Sequence, residues 1–316
     1  MGRIDPQIAQ LYAELAASGR AAPPAPLEKG NAAQLRQLCE AAMASAAPPP
    51  PNGVSARTCA VPTSDGASIE VRWYTRDSGS APEGAAVVYF HGGGMIAGRL
   101  DAFDGLVRQY VGKTGVPFAV PDYRLAPESS GTRLAEDGFD TVRWVRDQAG
   151  RFGIDPARLA VMGDSGGGGV AAGTAILARD RSVPLARQLL VYPMLDDRNT
   201  VADPLLAPYA TWDWDRNWTC WRAVLGDDFG TDRVPPAAAP ARLRDFAGLA
   251  PAYVEVGELD IFRDEAIDYA QRLLRAGVPC ELHVLEGVVH GHDLLSLDID
   301  VSRRSIADRC RVIGSL

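Results

Sequence analysis

No stretch of this sequence is apolar over enough residues to cross a membrane, and its first residues, including Arg3, Asp5 and Glu14, lack the apolar core of a secretory signal. Cysteine is scarce: the five are odd in number, widely spaced and without a Cys-x-x-Cys pair. Positive charge is not in excess, since the formal net charge is −8. This charge disfavours nucleic acid and anionic membranes as partners. We therefore expect a cytoplasmic protein with reduced thiols and no membrane span, metal, cofactor or nucleic-acid partner.

What is present is an ordinary globular composition, with 47% hydrophobic and 23% charged residues. The length of 316 residues is typical of an α/β fold with one core and an appendage. Residues 1–54 are the candidate appendage. Apolar side chains in residues 1–20 recur with helical spacing, and a second helix is predicted from Ala32 to Ser45. The four prolines at 48–51 indicate a stiff linker after it.

From residue 55 onward, strand and helix patterns alternate. Two stretches of β-type alternation flank the turn at Asp65-Gly66 and predict a hairpin. The strands predicted in and after it cover residues 57–63, 68–75, 85–90, 116–121, 158–162, 187–192, 251–256 and 280–285. The helices predicted between them cover residues 133–149, 170–181 and 264–276. This order predicts an α/β protein with a mostly parallel central sheet and helices on both faces.

The alternation stops between residues 196 and 249, so the core is predicted in two parts, 55–195 and 250–316. The segment 196–249 is predicted to be a helical insertion after the sixth or seventh strand. It holds four of the six tryptophans: Trp212, Trp214, Trp218 and Trp221. They could pack the insertion or line a substrate pocket, and both interpretations can hold together.

The stretch GDSGG at residues 163–167 fits the G-x-S-x-G nucleophile elbow. It follows a short apolar strand and precedes an Ala-rich helix. Small residues are needed there because strand and helix pass close together, while Ser165 at the apex adopts strained backbone angles that expose its hydroxyl. The motif alone is a weak signal, so the other motifs of the sequence must decide whether it is a nucleophile elbow.

The stretch HGGG at residues 91–94 directly follows the apolar run 85–90. Three consecutive glycines let backbone N–H groups turn toward one point, as an oxyanion hole requires. In such a site the amide after the nucleophile, here that of Gly166, is a further donor. The alternative is a glycine-rich turn that only connects two elements. It is less favoured because the turn leaves an apolar strand and the G-x-S-x-G motif follows in the same predicted sheet.

A serine hydroxyl needs a base, and the base needs an acid that orients it. Of the four histidines, His283 falls within a predicted strand, whereas His290 and His292 follow the last strand. Position in the chain does not separate these two. A glycine directly after His290 would let the loop turn without crowding the imidazole, which favours His290.

The acid is expected just past the end of an earlier strand. Asp260 satisfies this in VEVGELD at residues 254–260, while Glu255 lies inside the strand and Glu258 is close to its end. The order Ser165, Asp260, His290 along the chain is then that of the α/β-hydrolases.

Five blocks of the sequence resemble the signature blocks of the hormone-sensitive-lipase-like bacterial esterases, a branch of the α/β-hydrolases. They are HGGG at 91–94, DYRLAPE at 122–128, GDSGG at 163–167, GELDxxRDE at 257–265 and HG at 290–291. The resemblance covers roughly residues 55–315.

The resemblance implies a Ser165–His290–Asp260 triad with Gly93, Gly94 and Gly166 as oxyanion donors. It also implies a cap built from the N-terminal helices and the 196–249 insertion. Such enzymes hydrolyse short-chain carboxylic esters without a metal. The expected partner is thus a small acyl ester, and a homodimer is left open.

The chain departs from the family pattern beside the reacting carbonyl. Gly166 and Gly169 replace an alanine and an asparagine, Met95 replaces an aromatic residue after HGGG, and His292 replaces one after His-Gly. We expect His292 at the edge of the site, lining the pocket, exposed to solvent or touching substrate. These departures put the substrate and acyl acceptor in question rather than the triad.

Three other readings compete with ester hydrolysis. The stretch from Gly166 to Ala171 also fits a dinucleotide-binding fingerprint, but no acidic residue ends the next strand. A non-catalytic receptor or scaffold is disfavoured by the intact Ser165, Asp260 and His290. An acyltransferase, lactonase or cyclase with the same triad is the serious alternative, because residue types do not identify the acyl acceptor.

Overall fold

Apolar runs of the sequence form the central strands of one eight-stranded sheet. The computed structural model describes residues 4–17, 27–78 and 84–316. The strands are β1 (Val54–Pro62), β2 (Ser68–Arg76), β3 (Gly84–Phe90), β4 (Phe118–Pro121), β5 (Ile154–Asp164), β6 (Arg187–Val191), β7 (Ala252–Gly257) and β8 (Cys280–Leu285). Their order across the sheet is β1-β2-β4-β3-β5-β6-β7-β8. The first two strands form the predicted hairpin, and β2 pairs antiparallel with β4. From β4 to β8 all pairs are parallel, as predicted.

Helices cover both faces of this sheet. They are α1 (Pro6–Ala17), α2 (Ala32–Ala46), α3 (Leu100–Thr114), α4 (Arg133–Asp147), α5 (Ala149–Phe152), α6 (Gly166–Asp180), α7 (Trp214–Leu225), α8 (Arg263–Arg275), α9 (His292–Leu295) and α10 (Asp300–Gly314). Adjacent residues of a strand point to opposite faces. On β3, Tyr89 packs toward Phe103 of α3, and Phe90 lies beside Gly138 of α4. The two helices therefore cover opposite faces.

Two long helices, α3 and α10, and the one-turn helices α5 and α9 were not among the predicted elements. The first two share a cause. The buried side of α3 includes Gly105, whose missing side chain leaves room for the carbonyl oxygen of Pro48. The buried side of α10 includes Ser302, Ser305 and Arg309. Because small or polar residues occupy core-facing positions, neither helix has an unbroken apolar stripe.

Other predicted elements shift at their ends. Helix α6 begins at Gly166 rather than Val170, and β5 begins at Ile154 rather than residue 158. The helix predicted for residues 1–20 spans Pro6–Ala17, and residues 1–3 and 18–20 lie outside the described ranges. The insertion 196–249 follows the sixth strand, but α7 is its one regular helix among short turns.

The N-terminal helices attach to the core through polar contacts. Arg36 of α2 donates from Nε to the carbonyl of Ile96 (2.5 Å) and from Nη2 to that of Ala126 (2.6 Å), and it pairs with Glu128. The backbone N–H of Asp5, before α1, donates to the carbonyl of Gly287 (2.8 Å). Helix α2 is thereby held against the loops after β3 and β4. Within the described ranges, no helix combines the length and apolar character that crossing a membrane requires.

Candidate active site

Ser165 lies at the sharp turn between β5 and α6. Its backbone angles are φ 55° and ψ −119°, a conformation that costs free energy in a residue with a side chain. The carbonyl of Val191 accepts its N–H (2.9 Å), and its own carbonyl accepts the N–H of Met194 (2.9 Å). A β-carbon on Gly163 would lie 2.1 Å from the carbonyl oxygen of Gly167, so the turn closes only with glycine at 163. These contacts hold the serine hydroxyl in one direction.

The structure brings His290 and Asp260 into line with this serine. Ser165 Oγ lies 2.9 Å from His290 Nε2, and His290 Nδ1 lies 2.7 Å from Asp260 Oδ2. Asp260 follows β7 and is 1% exposed, and its other carboxylate oxygen accepts the N–H of Phe262 (2.9 Å). A neutral His290 with its proton on Nδ1 can donate to this carboxylate and accept the serine proton at Nε2.

The loop that carries His290 is fixed from several sides. The hydroxyl of Thr211 donates to the carbonyl oxygen of His290 (3.0 Å). The rings of Tyr192 and Phe262 stand edge-on to the imidazole, with centroids 4.9 and 5.1 Å away. The imidazole therefore keeps its orientation toward Ser165.

The glycine loop after β3 presents free backbone donors beside Ser165. Gly93 has φ +120°, and a β-carbon there would lie 2.2 Å from the carbonyl oxygen of Ala97, so no other residue fits without movement. Among the described residues, no acceptor takes up the amide N–H of Gly93, Gly94 or Gly166. Buried amides usually have partners, so three unpaired ones around one serine are suited to a developing negative charge.

His91 buttresses this loop from within the core. It is fully buried between the rings of Tyr123 and Phe103, with Nδ1 2.9 Å from the carbonyl oxygen of Gly92. Burial lowers the pKa of His91 to about 4, so the ring is neutral at physiological pH. It can then donate from Nδ1 to the loop.

A cavity of about 360 Å³ opens onto Ser165 and His290. Its walls are mostly apolar. Helix α2 contributes Leu35, Leu38, Cys39, Ala42 and Met43. The insertion contributes Thr211, Trp212 and Arg216. Two segments distant in sequence thus close the space over the serine.

The four tryptophans of the insertion divide between the two interpretations. Trp212 lines the cavity, and its ring edge lies 3.0 Å from where a β-carbon of Gly94 would be. Trp221 is fully buried, Trp214 donates to Asn199 Oδ1 (2.9 Å), and Trp218 packs edge-on to Phe229. One tryptophan therefore faces the substrate space, and three pack the insertion.

Glu255 and Glu258, the two alternatives to Asp260 as the acid of the triad, have other partners. Glu255 is buried within β7 and pairs with Arg309 (2.6 Å). Glu258 accepts the backbone N–H of Gly287 (2.9 Å). His283 lies on β8, 2.7 Å from Glu281, and does not line the cavity. Asp260 is thus the carboxylate that meets His290.

The prediction that His292 lies at the edge of the site is wrong. His292 is 1% exposed, starts α9 and does not line the cavity. Its Nδ1 lies 3.0 Å from the hydroxyl of Ser302, and its Nε2 lies 3.6 Å from Glu255. Because the chain enters a helical turn directly after Gly291, the ring is carried behind the site rather than to its edge.

His292 belongs to a buried group of charged residues that we call the Arg309 cluster: Glu255, His292, Asp293 and Arg309. Arg309 of α10 pairs with Glu255 and Asp293, and Asp293 accepts the hydroxyl of Tyr192 (2.7 Å). Burial alone would raise the pKa of both carboxyls, but Arg309 outweighs it and keeps each pKa below its usual value. The cluster therefore ties α10 to the loop of His290 through Tyr192.

Asp164, next to the nucleophile, is a buried acid that the sequence did not single out. The hydroxyl of Tyr89 bonds its Oδ2, while its Oδ1 has no partner among the described residues. Burial, together with nearby Asp293, raises the pKa of Asp164 from 3.8 to about 7. Near neutral pH this carboxyl is therefore partly protonated.

Nowhere in residues 4–17, 27–78 and 84–316 do three His, Cys, Asp or Glu residues group to hold a metal ion.

Comparison with known proteins agrees with the fold. A sequence model of the alpha/beta hydrolase fold matches residues 87–294. Esterase LipI of Mycobacterium tuberculosis is 39% identical over 215 residues, which cover 66% of this chain and 66% of LipI. An ethyl acetate hydrolase of Pseudomonas putida is 34% identical over 232 residues, 72% of each chain.

A solved structure extends the likeness over nearly the whole chain. A bacterial heroin esterase, 34% identical, superposes with a TM-score of 0.85 over 99% of this chain and 98% of its own. The sequence alignments are shorter and span about two thirds of the curated relatives. The family model alone covers more than half of this chain. The chain therefore belongs to the hormone-sensitive-lipase-like esterases of the α/β-hydrolase superfamily.

Proposed function

We propose that this esterase hydrolyses short-chain carboxylic esters through an acyl-enzyme on Ser165, with His290 as the general base and Asp260 as the acid that orients it. The observation that carries the proposal is the unbroken hydrogen-bond path from Ser165 Oγ through His290 to Asp260, at 2.9 and 2.7 Å, beside an apolar cavity. Nucleophile, base and orienting acid in this geometry are typical of acyl transfer.

In the first half of the reaction, His290 Nε2 takes the proton of Ser165 as Oγ attacks the ester carbonyl carbon. The carbonyl oxygen becomes an oxyanion, and the amides of Gly93, Gly94 and Gly166 donate to it. His290 then gives its proton to the alkoxy oxygen, and the alcohol leaves. Asp260 stabilises the transient imidazolium throughout.

In the second half, water replaces the alcohol. His290 removes a proton from the water as its oxygen attacks the acyl carbon. The same amides stabilise the second oxyanion, and Ser165 leaves with the proton held by His290. The products are a carboxylic acid and the free enzyme.

The size of the cavity supports short acyl groups. Its volume of about 360 Å³ is near the lower end of ligand sites, and its walls are mostly apolar. We propose that residues 1–54 and 196–249 form a cap over a core of residues 55–195 and 250–316. Lining residues from α2 and from 211–216 support this division.

A fluorophosphonate probe tests the nucleophile. The wild-type protein should be labelled once, and Ser165→Ala should not be labelled. Ser130→Ala, which removes an exposed serine, is the matched control and should label like the wild type. Labelling of Ser165→Ala at the wild-type rate would refute the assignment.

A panel of nitrophenyl esters with increasing acyl length tests the substrate range, with turnover expected to fall from butyryl to longer chains. Adding a short alcohol tests the acyl acceptor. Mainly free acid is expected. If ester of the added alcohol predominates at low alcohol concentration, the enzyme is an acyltransferase instead.

A further inference from the structure

A guanidinium group reaches the otherwise mostly apolar cap side of the active-site cavity. Arg216, in the first turn of α7, lines the cavity, and its side chain is 22% exposed. Nη1 of Arg216 pairs with Asp213, which does not line the cavity. Among the described residues, no acceptor takes up its Nε or Nη2. Part of a charged donor group is thus available to a ligand.

A second unused donor belongs to another residue that lines the cavity. The indole Nε1 of Trp212 is buried and has no hydrogen-bond partner among the described residues. The ring atom Cζ2, two bonds from Nε1, is 3.0 Å from where a β-carbon of Gly94 would be, and the ring centroid is 6.5 Å from that of His290. The indole ring therefore lies beside the glycine loop and His290.

Neither donor is satisfied by a purely alkyl ester. Binding such a substrate would strip water from Arg216, leave the N–H of Trp212 unpaired and supply no acceptor in return, and a buried unpaired donor costs free energy. A carboxylate fits better, because its two oxygens match the paired donors of a guanidinium. Sites that hydrogen-bond a substrate discriminate strongly against analogues that lack the partner.

We propose that Arg216 is a specificity-determining residue that selects esters carrying a carboxylate beyond the scissile bond, with Trp212 Nε1 as a second donor to the same substrate. The inference rests on the proposed function, since it names a substrate class for the same site. The carboxylate could belong to the acyl part, as in a half-ester of a dicarboxylic acid, or to the alcohol part, as in an acylated hydroxy acid.

Matched pairs of esters test this proposal. In the acyl arm, monomethyl glutarate is compared with the methyl ester in which an isopropyl group replaces the carboxylate. In the alcohol arm, the acetate ester of a terminal hydroxybutyrate is compared with its isopropyl counterpart. Acid release is followed by pH-stat, and the readout is the ratio of kcat/KM for carboxylate over isopropyl substrate. Each ratio cancels a general loss of activity or of folded protein.

Arg216→Met should lower this ratio about tenfold or more in at least one arm, because a charge-assisted hydrogen bond is lost. Trp212→Phe, which keeps an aromatic ring, should lower it about threefold. The matched control is Arg222→Met on the same helix, whose arginine pairs with Asp227 and does not line the cavity. It should keep the wild-type ratio.

An unchanged ratio in both arms for Arg216→Met would overturn the inference, as would the same fall in Arg222→Met. In either case, wild-type cleavage of the isopropyl esters that is lost in Ser165→Ala leaves the proposed function standing. If the wild type cleaves none of the esters and Ser165 resists the fluorophosphonate probe, the proposed function itself fails.

Discussion

A β-carbon on Gly166 would lie 2.8 Å from the amide nitrogen of Gly94 and 2.7 Å from that of Met95. Contacts this short require backbone to move. The residue after the nucleophile therefore fits against the glycine loop only as glycine, although its family usually has alanine there. Donor loop and elbow are packed together in this chain more tightly than the family pattern suggests.

Gly166→Ala should consequently displace the amides of residues 93–95 and lower kcat by about tenfold or more, with a smaller change in KM. The reason is that the oxyanion forms only in the transition state. Steady-state kinetics on a short nitrophenyl ester measure both constants. Gly150→Ala, where a β-carbon meets no atom within 4 Å, is the control. An unchanged kcat for Gly166→Ala would mean that these amides do not bind the oxyanion.

The two histidines should separate cleanly on mutation. His290→Ala should lose about 10³-fold or more in kcat, like Ser165→Ala, and the double mutant should be scarcely worse because the residues act as a unit. His292→Phe should instead lower the free energy of unfolding by about 1–3 kcal/mol, because it removes ring nitrogens that face Ser302 and Glu255.

Urea denaturation and kcat per folded molecule distinguish these outcomes. Phenylalanine at 292 restores an aromatic residue of the kind the family usually has, so the sequence alone predicts a change in substrate preference. If His292→Phe changes that preference without loss of stability, the buried position of the ring is wrong.

Asp164 should make part of the stability pH-dependent. Its pKa is about 7 in the folded protein and 3.8 ordinarily, so the folded state binds the proton more tightly. Its stabilising contribution is therefore complete below about pH 4 and is lost as the pH rises to about 7. This difference in pKa corresponds to roughly 4 kcal/mol.

Asp164→Asn, which keeps an acceptor for the hydroxyl of Tyr89, removes that dependence. The free energy of unfolding of the variant minus that of the wild type should rise between about pH 4 and 7, as measured by urea denaturation. Glu255 and Asp293, whose pKa values are lowered, act in the opposite direction and are present in both proteins. A difference that does not change with pH would contradict the raised pKa.

Deleting residues 1–50 should widen the range of acyl chains that the enzyme accepts. The deletion removes α2 and with it five apolar lining residues of the cavity. It also uncovers apolar surface on the core, which should increase binding of a hydrophobic dye. A truncated protein that retains both its chain preference and its low dye binding would show that α2 does not shape the pocket.

Arg36→Met offers a milder test of the same contact. It keeps α2 in the chain but removes its hydrogen bonds to Ile96 and Ala126 and its ion pair with Glu128. The chain preference should shift in the same direction as in the deletion, but less.

The residues of the proposed triad were easier to predict from the sequence than the residues of the insertion that line the cavity. Parallel strands end at one edge of a sheet, so the loop after each strand could be assigned to the same side, and Ser165, Asp260 and His290 all follow strands. Which residues of the insertion face the cavity depends on irregular loops instead. Neither Trp212 nor Arg216 could therefore be separated from its neighbours by periodicity.

Misplaced elements have a related cause. Four glycines after Ser165 predict a turn, yet they form the start of α6. Glycine is needed there because the helix passes close to β3: a β-carbon on Gly167 would lie 2.1 Å from the carbonyl oxygen of Phe90. In α10, Arg309 faces the core because Glu255 and Asp293 are already there to pair with it. Patterning of single segments does not reveal partners that come from elsewhere in the chain.

Helix α2 supplies five lining side chains and none of the groups assigned to the reaction. Changes in this contiguous stretch can therefore accumulate by drift, or be introduced as one exchanged cassette, without disturbing the hydrogen bonds among Ser165, His290 and Asp260. Helix α2 can therefore change substrate preference while the proposed catalytic residues stay the same. A library confined to the cavity-facing positions of α2 should thus yield mostly active enzymes that differ in what they cleave.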